Sequence, residues 1–293
     1  MYEQIAENKR NTILLVLGFS FLVIILSWVL GKIFLSIGEI GLVLGAIFII
    51  FYGIIAYFFG ANIVLAISGA REVQKNENPY LFNVIEGLAI AAGVPKPKAY
   101  IINDTALNAF ATGRDPEHGV IVVTSGILQL LNRQELEGVI AHEMSHIKNL
   151  DIRLMMIVTV LVGVSVLLSD ILLRSFLWGG NNRSKGSGSM PLIVLGIALA
   201  ILTPIIAMII RMAISREREY LADASATQLT RNPEGLMSAL KKISGDKEIL
   251  EAANKATAHL YISNPLKNRA GFMDGMFSTH PPIEKRIERL SKM

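Results

Sequence analysis

The run His142-Glu143-Met144-Ser145-His146 sets two imidazoles four residues apart with a carboxylate between them. On a helix, side chains at i and i+4 share one face a turn apart, so both rings can reach the same Zn²⁺. Glu143 then stands beside the metal, placed to act on a metal-bound water rather than to ligate. A zinc site that does chemistry takes three protein ligands and leaves the fourth position to water. Some zinc proteases supply a third His six residues after the second, but that position is Ile152 here. The best remaining candidate is Glu219, in Arg216-Glu217-Arg218-Glu219-Tyr220-Leu221-Ala222-Asp223, with Glu217 and Asp151 as alternatives. An ion pair of Glu219 with Arg216 or Arg218 is its plain structural role. Asp223 shares the helix face of Glu219 and is placed to orient a ligating imidazole from behind. The chain has no cysteine, so thiolate ligands and disulfides are excluded and any metal must use His, Asp or Glu.

The other histidines carry less. His118 lies in Asp115-Pro116-Glu117-His118, a solvated turn with no assigned role, and His259 falls on a predicted amphipathic helix as a surface residue. His280 precedes Pro281-Pro282 and a helix carrying Arg286. Two readings stay open for it: a His tolerated at a helix start, or a donor to the oxyanion of a tetrahedral intermediate.

These residues have to be positioned by a chain of 293 residues that is 52% hydrophobic, with mean hydropathy +0.48, which is too apolar for an ordinary soluble domain. The excess lies in four blocks, at about 13–30, 41–60, 154–173 and 191–210. Each approaches the ~20 residues needed to cross a bilayer. The first block is longer than the apolar core of a cleavable signal and has no small-residue cleavage site after it, so it reads as an uncleaved anchor. The division that follows is an N-terminal membrane hairpin (1–68), a first soluble part with the HExxH helix (69–153), a second hairpin (154–210) and a second soluble part with Glu219 (211–293).

Four spans return both soluble parts and both termini to one side. Lys9, Arg10, Arg71, Lys75, Arg153 and Arg211 lie on that side and outnumber the cations opposite, which places it in the cytoplasm. Two spans separate His146 from Glu219, an even number, so both return to the same membrane face. The formal charge of +4 suits contact with anionic lipid and carries no nucleic-acid signature.

Within the soluble parts, Pro79–Ala92 reads as a helix ended by Gly93, and Ala99–Ile102, Ala106–Thr112 and Gly119–Thr124 as extended runs. Asn132 and Glu135 form a capping pair that starts the motif helix, Arg133 to Asn149. Further helices are expected around Pro233–Ile243, Lys247–Tyr261 and Pro281–Lys292.

His142-Glu143-xx-His146, Arg218-Glu219-Tyr220-xx-Asp223, Asn108-Ala109-Phe110-Ala111-Thr112-Gly113 and Thr279-His280-Pro281-Pro282 with Arg286, set among four apolar spans, closely resemble the HtpX family of membrane-integral zinc metalloproteases. That family is distantly related to the CAAX prenyl proteases, and the resemblance covers essentially the whole chain. It implies a predominantly α-helical membrane protein: four transmembrane helices plus a zincin-like metalloprotease domain with a small β-sheet. It further implies one Zn²⁺ per chain on His142, His146 and Glu219, with Glu143 as general base and Asp223 behind the ligands. His280 and Arg286 would act near the metal in the transition state or behind the ligands, and Asn108, Ala109 and Phe110 would form the edge that a substrate backbone pairs with. The expected activity is cleavage of misfolded or damaged membrane proteins at the cytoplasmic face of the plasma membrane.

Two rival readings are weaker. An intramembrane protease would bury Arg133, Glu135, Glu137, Lys148 and Asp151 in lipid at high cost. A transporter or scaffold with structural zinc would need ionisable groups at the midplane or a fourth protein ligand, such as His280.

Overall fold

In the computed structural model, residues 2–34, 37–163, 216–254, 256–265 and 281–293 are described. The chain begins with two long apolar helices, α1 (Tyr2–Phe34) and α2 (Gly38–Ile67). Ile5–Ile25 within α1 and the whole of α2 are long and apolar enough to cross a membrane. In α2 the buried positions are mostly small (Gly38, Gly41, Gly45, Ala56, Gly60), whereas Val43, Ile50, Phe51, Ile54 and Phe58 are exposed. Small residues at the helix contact with large apolar ones outside is the arrangement lipid favours, because packing rather than water exclusion joins the helices. At Gly41 a Cβ would collide with the carbonyl oxygen of Ser27 in α1, so this approach requires glycine. The expected spans at 13–30 and 41–60 fall inside these helices. Of the other two, only 154–163 is described, as the continuation of a helix over residues 151–163 (α6 below), and the rest lies outside the described residues.

A four-stranded sheet follows, in the order β1-β2-β4-β3: β1 (Arg71–Glu72), β2 (Lys98–Ile102), β3 (Ala109–Thr112) and β4 (Val120–Thr124). β2 and β4 run parallel, and β1 and β3 pair antiparallel at the two edges. Every residue of β4 is buried, as its unbroken β-branched run requires of a strand covered on both faces. The extended run expected from Ala106 enters the ladder only at Ala109, because the Asp104 carboxylate binds the Ala106 N–H and the Asp246 carboxylate the Leu107 N–H.

Between the strands, α3 (Pro79–Ala92) starts at the Asn78 side chain, which caps the Leu81 N–H, and stops at Gly93 with φ 69°, as expected. α4 (Ser125–Leu130) leads into α5 (Arg133–Lys148), which opens with the predicted capping box between Asn132 and Glu135. Glu135 also binds Ser238 and Lys242 of α8 (Pro233–Gly245), tying the start of α5 to the second soluble part. Beyond its first turn α5 is buried almost all round, enclosed by α3, β3, α7 (Arg216–Thr230) and α8. α9 (Ile283–Leu290) closes the described chain.

The helix expected over Lys247–Tyr261 does not form among the described residues; a 3-10 turn, Ala258–Leu260, is the one helical piece there. Leu250 N–H bonds the Pro265 carbonyl, and the Asn254 side chain accepts from the N–H groups of Ala256 and Thr257. These local bonds take donors that a helix would have used.

Candidate metal centre

α5 presents His142 and His146 on one face, with their Nε2 atoms 3.2 Å apart and their rings at 88°. Glu219 approaches from α7. Its Oε2 lies 3.7 Å from His142 Nε2 and its Oε1 3.6 Å from His146 Nε2. In a tetrahedron with Zn–N bonds of about 2.0–2.1 Å, neighbouring ligand atoms are about 3.3–3.4 Å apart. The three donors fit that spacing, and among the described residues they are the cluster of His, Asp or Glu side chains placed to hold a metal. Glu217, the alternative on the same helix, is 81% exposed and sits near Arg289 instead.

Each imidazole is held from behind. His142 Nδ1 lies 3.0 Å from Asp223 Oδ1, and His146 Nδ1 lies 2.8 Å from Asp151 Oδ2. A carboxylate on Nδ1–H leaves the Nε2 lone pair directed at the shared point and fixes the ring. Asp223 is itself gripped by Arg286, whose Nε and Nη2 donate to its two oxygens at 2.9 and 2.7 Å. Arg286 is fully buried; its Nη1 donates to the Ile262 carbonyl and lies 3.6 Å from Glu219 Oε2. Asp151 thus stands behind His146, outside the His142, His146 and Glu219 cluster.

The break between α5 and α6 (residues 151–163) makes that role possible. In an unbroken helix a residue five positions after His146 would be turned about 140° away from it. Leu150 instead takes φ 62°, a conformation rare for a branched residue, and brings Asp151 back to the ring.

The charges are arranged for a dication. Four buried carboxylates (Glu143, Asp151, Glu219, Asp223) face two guanidiniums (Arg218, Arg286), a surplus of two negative charges when all are ionised. Burial and the Arg286 charge push His142 below its usual 6.5. At His146 burial acts the same way, but the hydrogen bond and charge of Asp151, with Glu219 and Glu143, outweigh it and raise the ring to about 9. Burial would raise Asp223, yet Arg286 and His142 hold it below 3.8. Glu143 is pushed up to about 7, chiefly by burial and with help from the Glu219 charge, against His146 and Arg286.

Glu143 also accepts a hydrogen bond from the Ala111 N–H, so the outer edge of β3 faces the site. The expected substrate edge is only partly open. The Ala109 carbonyl accepts from Ile262 N–H at 2.9 Å, and Asn108 is buried and exchanges hydrogen bonds with Ser263. Phe110 is buried edge-on against Tyr261. Asn108 and Ala109 are therefore already paired to the chain's own 262–263 segment, and Phe110 is packed against Tyr261.

His118 is exposed, in a 3-10 turn with Asp115 and Arg114, as its sequence context implied. His259 is not a surface residue: it is 2% exposed, with Nε2 3.2 Å from Thr159 Oγ1 and 3.3 Å from the Met155 carbonyl of α6. The missing helix removed the face on which it was expected to be solvated. His280 lies outside the described residues. Sequence reasoning gave no role to Ala111 or Asn8, and saw Arg218 as a possible ion-pair partner of Glu219; the contacts described here depend on tertiary geometry that no local spacing signals.

Residues 75–293 match the model of Peptidase family M48. A Protease HtpX homolog of Dictyoglomus thermophilum is 49% identical over 292 residues, covering 100% of this chain and 94% of that protein. One from Listeria monocytogenes is 47% identical over 304 residues, covering 100% of both. The crystal structure of S. mikatae Ste24p aligns with TM-score 0.51 and 19% identity over 99% of this chain and 67% of that one, a likeness of fold. With a His-His-Glu cluster buried on α5 and α7 and two apolar helices beside it, the chain belongs to peptidase family M48 and is a membrane-bound metalloprotease.

Proposed function

We propose that the protein is a zinc endopeptidase that holds one Zn²⁺ on His142, His146 and Glu219 and cleaves misfolded or damaged membrane proteins at the cytoplasmic face of the plasma membrane. The observation that carries the metal assignment is the convergence of the three donors, with a carboxylate behind each imidazole. Zinc bound there would supply Lewis acidity toward a scissile carbonyl and toward a water.

The remaining chemistry belongs to the chain. Glu143, buried and raised to about 7, is suited to take a proton from the attacking water and return it to the leaving amine. Asp223, pinned by Arg286, keeps His142 in the tautomer that offers Nε2. His280 is assigned the oxyanion from its motif. An extended substrate would pair along the outer edge of β3 by main-chain hydrogen bonds, which demand little of sequence and suit varied substrates. Pairing at Ala109 requires Ile262 to give way.

The membrane placement rests on four spans, of which α1 and α2 are described. It rests also on α5 ending where the apolar α6 begins. Substrates embedded in the bilayer would then meet the site as they emerge.

The test is Glu143→Gln in the purified full chain. General-base loss costs about 10²–10⁴-fold in rate. The variant should therefore keep its zinc while cleavage of an unfolded protein substrate falls by that order. Normal cleavage by this variant, free of other proteases, would sink the assignment.

A further inference from the structure

Asn8 is a buried amide on α1, near the start of the first membrane-crossing helix, and is 2% exposed. Its Nδ2 donates to Asp151 Oδ1 at 2.6 Å and to the Asn149 carbonyl at 2.9 Å, while its Oδ1 accepts from Arg218 Nη1 at 2.8 Å. Both amide hydrogens and the amide oxygen are thus committed. The other oxygen of Asp151 holds His146 Nδ1, and Arg218 immediately precedes Glu219 on α7. A continuous polar chain therefore runs from one candidate ligand to the neighbour of another, His146–Asp151–Asn8–Arg218, and its third member comes from the N-terminal helix. Leu15 and Phe19 of α1 join Leu154, Ile157, Val158 and Leu161 of α6 in one apolar cluster, so the two helices also pack together away from the polar chain. The family model matches from residue 75 onward, so Asn8 lies outside the stretch that it covers.

We infer that Asn8 is a positioning residue of the metal centre, so that the first membrane helix completes the site as well as anchoring it. The inference rests on the assignment of His146 and Glu219 as ligands. Without the amide, Arg218 Nε, 4.0 Å away, is the cationic partner left to the inner oxygen of Asp151 among the described residues. A buried carboxylate in that position turns toward the cation, and the ring it holds turns with it.

The experiment uses the full chain in detergent and reads the zinc dissociation constant by chelator competition, with the visible spectrum of the Co²⁺-loaded protein beside it. Partners behind a ligand typically carry about 10–100-fold in metal affinity. Asn8→Ala should weaken zinc about tenfold or more and shift the Co²⁺ spectrum. Asn8→Leu, close in size and a better helix former, should do the same and guards against failure to fold. Phe19→Ala, which loosens the same helix without touching the polar chain, should leave zinc affinity at the wild-type value. In an Asp151→Ala background, Asn8→Ala should cause no further loss, because its effect passes through Asp151. Wild-type zinc affinity in both Asn8 variants, an equal loss in Phe19→Ala, or full additivity with Asp151→Ala would each overturn the inference. Full zinc affinity in His146→Ala would instead remove the ligand assignment beneath it.

Discussion

The membrane hairpin and the metal centre obey opposite rules of burial. Along α2 most large apolar side chains face outward, and Gly38, Gly41, Gly45 and Gly60 face inward. Around α5 the outward positions are few, and the interior holds His142, Glu143, His146, Asp151, Glu219, Asp223 and Arg286, each at most 5% exposed. In the first region the polar backbone is satisfied within the helices, so lipid can take the place of water around them. In the second, charges are tolerated inside because every one has a partner of opposite sign or a hydrogen bond. The contrast explains how one chain can carry both a hairpin suited to lipid and a site rich in ionisable groups. It also shows where the two rules meet, at a single amide of α1.

The largest effect should come from breaking a charge partnership inside the metal centre. Arg286→Ala leaves Asp223 buried without its bidentate partner, and removing one member of such a pair costs about 3–5 kcal/mol. Thermal unfolding of the purified variant should fall sharply, and zinc affinity with it. A variant as stable as wild type would mean that solvent, not Arg286, balances Asp223. Asp151→Asn is milder, since it keeps the shape but weakens the acceptor on His146 Nδ1. Zinc affinity should drop about 10–100-fold with little change in unfolding.

On the other side of the comparison, Gly41→Leu should push α1 from α2 at the Ser27 carbonyl. Overpacking of this kind costs about 1–3 kcal/mol. Stability in detergent should fall while Gly45 and the deeper contacts remain, and zinc binding should hold, because Gly41 lies at the far end of the hairpin from Asn8. Loss of zinc in that variant would show that the hairpin acts on the site as one rigid unit.

The smallest effect concerns pH. Burial opposes ionisation of Glu135, but its bonds from Lys242, Ser238 and the Asn132 N–H hold its pKa below 4.5. The folded carboxylate thus binds fewer protons than the unfolded one. Its contribution is complete above about pH 4.5 and disappears as pH falls through the folded value. Unfolding temperature should decline across that acid range in wild type and less steeply in Glu135→Gln.

Much of this organisation is legible in the chain, for reasons of period. HExxH and Glu219-x-x-x-Asp223 are spaced for one helix face, Asn132 and Glu135 for a capping box, and Pro79 and Gly93 for the ends of α3. Such local rules need no knowledge of the fold. What escaped depended on tertiary geometry. Asp151 changes from an alternative ligand to a partner of His146 only because Leu150 adopts a positive φ. β1 has two exposed residues and is a strand solely through its pairing with β2. His259 becomes a core residue because Asn254 diverts the backbone from the expected helix, and Asn8 meets a residue far along the chain.

The central claim is that Glu219 joins the two histidines as a ligand, and zinc content answers it most directly. Metal analysis of purified Glu219→Ala beside wild type should find zinc in wild type and little or none in the variant, with proteolysis lost in parallel. Unchanged zinc in Glu219→Ala would contradict the account, and would mean that His142 and His146 share their metal with some other group.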